Sequence, residues 1–275
     1  MNYEASEIEL SQKEIELFKL LNNALVFNDV KQDVKLMATG AWVRDKLLEK
    51  DDCSKISITF ASEKDGLTSE SIAAMVQEYQ IWEGGYEQSI LQTVTNQFSY
   101  NGIDVTFNEI SSPTLFQDAI SKDFTMNALY FNLDDLSVMD PLGYGMKDIM
   151  NKIINTCAAN TLEADPFKML RAISMASALD LDISQSIVDQ IRDTEKMRPL
   201  FDEKVSKEKV GDELNRMFSD KKGGIKALSM MTDLGILENY VTLMCSPDSE
   251  QVPDYCFLIG KFMEEDTATI ADDSI

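Results

Sequence analysis

A change of hydrophobic period near Asp140 constrains this 275-residue chain more than any single motif. Before it, short runs alternate apolar and polar residues with period two; after Pro166, apolar residues recur at helical spacing. Lys55 to Phe60 places Ile56, Ile58 and Phe60 on one side of a strand. Thr93 to Ser99 and Ile103 to Ile110 flank Tyr100-Asn101-Gly102, and an Asn-Gly pair tolerates the positive φ that a tight hairpin requires. Val34 to Thr39, Ala128 to Asn132 and Ser137 to Met139 read as further strands, the last two joined across an Asp134-Asp135 turn. Helices are expected at Ser11 to Phe27 behind a Ser11 cap, at Trp42 to Leu48 and at Ser69 to Tyr79.

These patterns predict an α+β fold. A head over 1–150 combines helices with a small mixed sheet of about five strands. An all-helical domain over 151–263 follows, punctuated near Pro199, Gly223 and Pro247, and an acidic, frayed tail covers 264–275.

Charge limits the partners. Forty-eight acidic against 25 basic residues give a net charge of −23, a field that repels phosphate backbones and disfavours unaided nucleic-acid binding. Lys204, Lys207 and Lys209, and Lys221 with Lys222, read as solvated helix faces. The chain has no histidine, and its four cysteines (Cys53, Cys157, Cys245, Cys256) are scattered, so the usual residues of zinc sites and of histidine acid–base catalysis are missing. No apolar run is long enough to cross a membrane, and Glu4, Glu7 and Glu9 stand where a secretion signal would be basic and then apolar. An intracellular protein with no membrane association, cytoplasmic or nuclear, is expected.

Five segments in order resemble the motifs of the tRNA nucleotidyltransferase (CCA-adding enzyme) and poly(A) polymerase family, spanning about 35 to 240. Thr39-Gly40-Ala41-Trp42-Val43-Arg44-Asp45-Lys46-Leu47-Leu48 resembles the family's Gly-Gly-x-Val-Arg-Asp-x-Leu-Leu turn from strand into helix, where backbone amides approach a nucleoside triphosphate. Ala41 replaces its second glycine. Ser121-Lys122-Asp123-Phe124-Thr125-Met126-Asn127-Ala128-Leu129 resembles Arg-Arg-Asp-x-Thr-x-Asn-Ala-Leu, with Ser121 and Lys122 in place of the arginines. Asp140 to Ile149 resembles the linker between head and neck. Leu162 to Arg171 resembles the helix whose aspartate and arginine read base edges, retaining Asp165 and Arg171 but carrying Ala164 and Lys168 as departures; lysine lacks arginine's planar fork. Ser206 to Leu214 resembles a further helix start.

The resemblance also implies carboxylates that hold magnesium, and here the sequence departs. The strand that bears two aspartates in the family carries Lys55 and Ser57, and the third acidic position falls on Thr106. The resemblance therefore implies no catalytic residue at these degenerate positions, no metal and no cofactor. It leaves Gly40, Arg44, Asp45, Asp123, Asn127, Asp165 and Arg171 as nucleotide-binding remnants.

The leading expectation is a pseudoenzyme, not an enzyme. It would serve as a scaffold or accessory subunit in a protein hetero-complex that processes or modifies RNA or DNA, such as a methyltransferase complex, and would touch nucleic acid weakly or through partners. The chain ends near 275 where family members continue, and Cys256-Phe257-Leu258-Ile259 is a candidate partner patch. Two alternatives stand beside it: an active CCA-adding enzyme with displaced metal ligands, using Asp104 and Asp51 or Asp52, and a nucleotide or tRNA sensor without turnover.

Overall fold

The computed structural model describes residues 8–50, 54–62, 66–84, 95–110 and 114–241. The chain divides into two compact units, Met1–Ile149 and Met150–Ile275. Asp51, Asp52, the Cys256–Ile259 patch, Pro247 and the tail over 264–275 lie outside the described residues.

In the first unit, helix α1 (Gln12–Phe27) starts with a capping box. The Ser11 hydroxyl accepts from the Glu14 amide while the Glu14 carboxylate accepts from the Ser11 amide at 2.7 Å. Then come β1 (Val34–Thr39), α2 (Ala41–Leu47), β2 (Lys55–Ser62), α3 (Ser69–Gly84), β3 (Gln97–Tyr100), β4 (Ile103–Glu109), α4 (Leu115–Ser121), a 3-10 turn at Thr125–Asn127, β5 (Tyr130–Asn132), β6 (Val138–Met139) and α5 (Gly145–Asn151). Helix α3 runs past the expected Tyr79 end because Tyr79, Trp82 and Phe27 cluster with ring centroids 5.1–5.7 Å apart, which holds the extra turn in place.

The strands form one six-stranded sheet, where about five were expected, in the order β3-β4-β2-β1-β5-β6. All its pairings are antiparallel except β2 with β4, so the sheet is mixed. Asn101 and Gly102 take φ of 51° and 84° and close the hairpin between Tyr100 and Ile103. Period two sorts the sheet into two faces. Leu36, Ala38, Ile56, Ile58, Val105 and Phe107 are buried on the apolar face. Phe18 of α1 and Trp42 of α2 reach Phe131 of β5 with ring centroids 6.1 and 5.5 Å away, on that same face. Buried Glu14 fastens α1 to α2: it accepts from the Trp42 indole at 2.8 Å and pairs with Lys46 at 2.8 Å.

The second unit contains β7 (Ile153–Ile154), α6 (Thr161–Ala164), α7 (Lys168–Leu179), β8 (Asp182–Ile183), α8 (Gln185–Arg192), α9 (Thr194–Lys204), α10 (Lys207–Met217), α11 (Lys221–Asp233) and a π-helical turn at Leu237–Val241. The expectation of an all-helical domain is corrected by the parallel β7–β8 pair. Asp180 ends α7 in the left-handed region (φ 58°), and the chain then satisfies its backbone groups on its neighbour: the Asp182 amide donates to the Lys152 carbonyl at 2.8 Å and the Ser184 amide to the Ile154 carbonyl at 3.0 Å. Pro199 does not punctuate but sits inside α9. Gly223 does mark a start, donating its amide to the Asp220 cap at 2.8 Å. Buried Tyr240 packs edge-on to Phe201 and donates to the Ile191 carbonyl at 2.8 Å, and burial pushes its hydroxyl up to about 12.

Candidate functional site

The face of the sheet opposite the apolar one carries a polar row at its open side. Strand register places Ser57 between Thr39 of β1 and Thr106 of β4, and Thr106 opposite Gln97 of β3. One step along, Lys55 is the partner of Asp104, and Asp104 of Ser99. Lys55, Ser57, Gln97, Ser99, Asp104 and Thr106 line an open depression there. The three positions where the resemblance expects carboxylates are thus direct neighbours on one face, as the period-two reading requires, and Asp104 shares that face.

Donor chemistry tests whether this row fits a divalent ion. Hard cations such as magnesium take anionic oxygens. The row offers the Asp104 carboxylate, already accepting from the Ser99 hydroxyl, beside hydroxyls and the Lys55 ammonium. Among the described residues, no group of three or more His, Cys, Asp or Glu could hold a metal ion. The row does not fit a magnesium pair.

The turn from β1 into α2 begins beside this row, since Thr39, the strand partner of Ser57, immediately precedes Gly40. Gly40 takes φ 76° and ψ −135°, a conformation that L residues rarely adopt, and caps α2. One helical turn later, Arg44 donates from Nε to Asp45 Oδ1 at 2.7 Å and from its guanidinium to Asn127 Oδ1 at 2.9 Å. Asn127 in turn donates to Asp123 Oδ1 at 2.9 Å, which also accepts from the Phe124 amide at 2.8 Å. The structure therefore brings Gly40, Arg44, Asp45, Asp123 and Asn127 together through two segments far apart in sequence. Thr39 helps to fix this corner by donating to the Leu129 carbonyl at 3.1 Å.

Asp165 and Arg171 belong to the second unit. Asp165 ends α6 and accepts from the Phe167 amide at 3.2 Å, while Arg171 is exposed in the first turn of α7. Ser206 caps α10, accepting from the Lys209 amide at 3.3 Å.

Several supporting contacts escaped the sequence reading. Thr125 donates to buried Asp148 at 2.5 Å, and Tyr130 donates to Asp118 at 2.5 Å, with Lys122 paired to the same Asp118 oxygen at 3.1 Å. A signal existed for one of them, since Thr125 and Asp148 both lie in segments that carry the resemblance. Gly145 was also undervalued: a Cβ there would stand 2.7 Å from both the Thr125 carbonyl oxygen and Leu129 Cδ2.

The chain is thus an α+β head followed by a mostly helical unit. Residues 36–155 match the Poly A polymerase head domain. The chain is 29% identical over 244 residues to the tRNA nucleotidyltransferase cca2 of Schizosaccharomyces pombe, covering 77% of this chain and 50% of that protein. It is 26% identical over 247 residues to the mitochondrial CCA tRNA nucleotidyltransferase of Saccharomyces cerevisiae, covering 78% and 44%. The CCA-adding enzyme of Thermotoga maritima complexed with tRNA shares the fold, with a TM-score of 0.63, 19% identity, and coverage of 84% of this chain and 53% of that one. The match to the Poly A polymerase head domain covers residues 36–155, and over about three quarters of its length the chain is similar to tRNA nucleotidyltransferases. It spans about half the length of the curated relatives it matches.

This kinship corrects one expectation. The reading of the chain as a pseudoenzyme and not an enzyme is overturned, because the relatives it matches are named as tRNA nucleotidyltransferases and CCA-adding enzymes. The side chains of Lys55, Ser57 and Thr106 describe how the row can treat a cation; they do not demonstrate lost activity. Two relatives are named as mitochondrial, so the choice between cytoplasm and nucleus has no support from the matches. No helix among the described residues is long and apolar enough to cross a membrane.

Proposed function

We propose that this chain acts in tRNA nucleotidyl transfer of the CCA-adding kind, with its first unit binding a nucleoside triphosphate. The observation that carries this reading is the hydrogen-bonded Arg44–Asn127–Asp123 chain set beside the Gly40 turn. Two motifs that resemble triphosphate- and ribose-binding segments supply it, and the space beside Gly40 is open. In the second unit, Asp165 and Arg171 match the base-reading residues of the resembled helix, and Lys168 departs from its pattern. The charge of −23 favours a hetero-complex in which a basic protein partner helps to engage tRNA.

The test is incorporation of labelled CTP or ATP into tRNA lacking its 3′-terminal residues. Incorporation above a no-protein control, reduced at least about tenfold by Arg44→Ala in a variant that keeps its circular dichroism, supports the reading. No incorporation by the chain alone or with proteins that co-purify from its source would sink it.

A further inference from the structure

We propose that Lys55 takes the place of a metal ion, so that the oligophosphate of a nucleotide is held on the open row by an ammonium group without a divalent cation. This rests on the nucleotide-binding reading above and deepens it. Lys55 is exposed at the start of β2 and lines the depression with Ser57, Asp104 and Thr106. Its strand partner is Asp104, yet the two form no ion pair; the Asp104 carboxylate is engaged by the Ser99 hydroxyl instead. Among the described residues the ammonium has no hydrogen-bond or ion-pair partner, which leaves it available to an external anion.

The rest of the row suits an anion better than a cation. The hydroxyls of Ser57 and Thr106 can each donate to a phosphate oxygen, as can the Gln97 amide. Register also brings the row to the nucleotide corner, because Thr39, the strand partner of Ser57, immediately precedes Gly40. A divalent ion at the same place would face the Lys55 charge with a single carboxylate to hold it. An oligophosphate would meet a positive charge and neutral donors, and charge-assisted bonds of this type are the strong ones. Asp104 is the one group in the row that opposes it.

The experiment is calorimetric binding of ATP, CTP and inorganic tripolyphosphate to the full chain, with Mg²⁺ or with EDTA. Wild type is expected to bind in EDTA. Lys55→Ala should weaken that binding about tenfold, Lys55→Arg should largely retain it, and Asp104→Asn should tighten it by removing the opposing charge. Lys55→Asp, which sets two carboxylates at partnered positions, should make any remaining binding depend on Mg²⁺. Binding by wild type only with Mg²⁺, an unchanged Lys55→Ala, or loss of binding in Asp104→Asn would overturn the inference while leaving nucleotide binding intact. No binding under either condition would overturn the nucleotide reading itself, and this inference with it.

Discussion

Two neighbouring parts of the first unit have met different fates. At the β1–α2 corner the residues that resemble the family motifs are locked into one another, through Gly40, Arg44, Asn127 and Asp123. On the open row one strand away, Lys55, Ser57 and Thr106 stand where the resemblance leads one to expect carboxylates, and the sheet forms in regular register around them. The difference lies in what each group does for the fold. Arg44 and Asn127 satisfy partners from separate segments, so replacing either leaves a polar group stranded. An exposed strand residue facing solvent has little to strand, and its identity can change without cost to the sheet. The corner residues of this chain therefore contribute to folding whatever chemistry they also serve.

The largest expected effect comes from the linker motif. Gly145→Ala would set a methyl 2.7 Å from the Thr125 carbonyl oxygen, a backbone atom that cannot move aside cheaply. A loss of about 1–3 kcal/mol is expected, read as a lower denaturant midpoint. A neutral result would mean that this motif is not retained for packing, which breaks the comparison on its structural side.

Asn127→Ala tests the corner directly. It removes the acceptor of Arg44 and a donor to Asp123 in a part-buried setting, at a cost of about 1–2 kcal/mol. Nucleotide incorporation should fall with it. If stability drops while incorporation is unchanged, the corner serves the fold alone.

Tyr240 supplies a reference outside both regions. Tyr240→Phe deletes its bond to the Ile191 carbonyl and should cost about 1 kcal/mol. Because burial raises the phenol from 10.0 to about 12, the neutral form is the one favoured by folding. Its contribution is complete below about 10 and is lost as pH rises through about 12, so wild type should lose stability over that alkaline window. The Phe variant should lose less, and melting temperatures across the window would show an equal loss in both if the tyrosine were not responsible.

How much of this was legible in the sequence depends on the length scale of each signal. The Ser11–Glu14 capping box, the Asn101-Gly102 hairpin and the alternation through Ile56, Ile58 and Phe60 are local patterns, and each folds as local physics dictates. The β7–β8 pair was not legible, since two residues have no period and their partner lies beyond a helix. Pro199 misled because its meaning depends on whether neighbours compensate for the missing amide, and α9 continues through it. In the site, residue-by-residue resemblance found the members of the corner, but not the bonds among them, which join segments more than 80 positions apart. Buried Glu14 was invisible for the same reason: its partners Trp42 and Lys46 come from another helix.

The smallest expected effect is the sharpest check on the comparison. Ser57 sits in the middle of the row, exposed, with strand partners on both sides but no side-chain hydrogen bond to another described residue. Ser57→Ala keeps the backbone ladder, removes one hydroxyl from solvent and should change stability by less than about 0.5 kcal/mol. If the row contributes donors to a bound oligophosphate, the same variant should still weaken nucleotide binding measurably, by a few-fold. Stability unchanged with affinity reduced would assign Ser57 to binding and leave folding to the corner. A stability loss as large as that of Asn127→Ala would instead show that the open row is holding the sheet together, and the division between the two regions would fail.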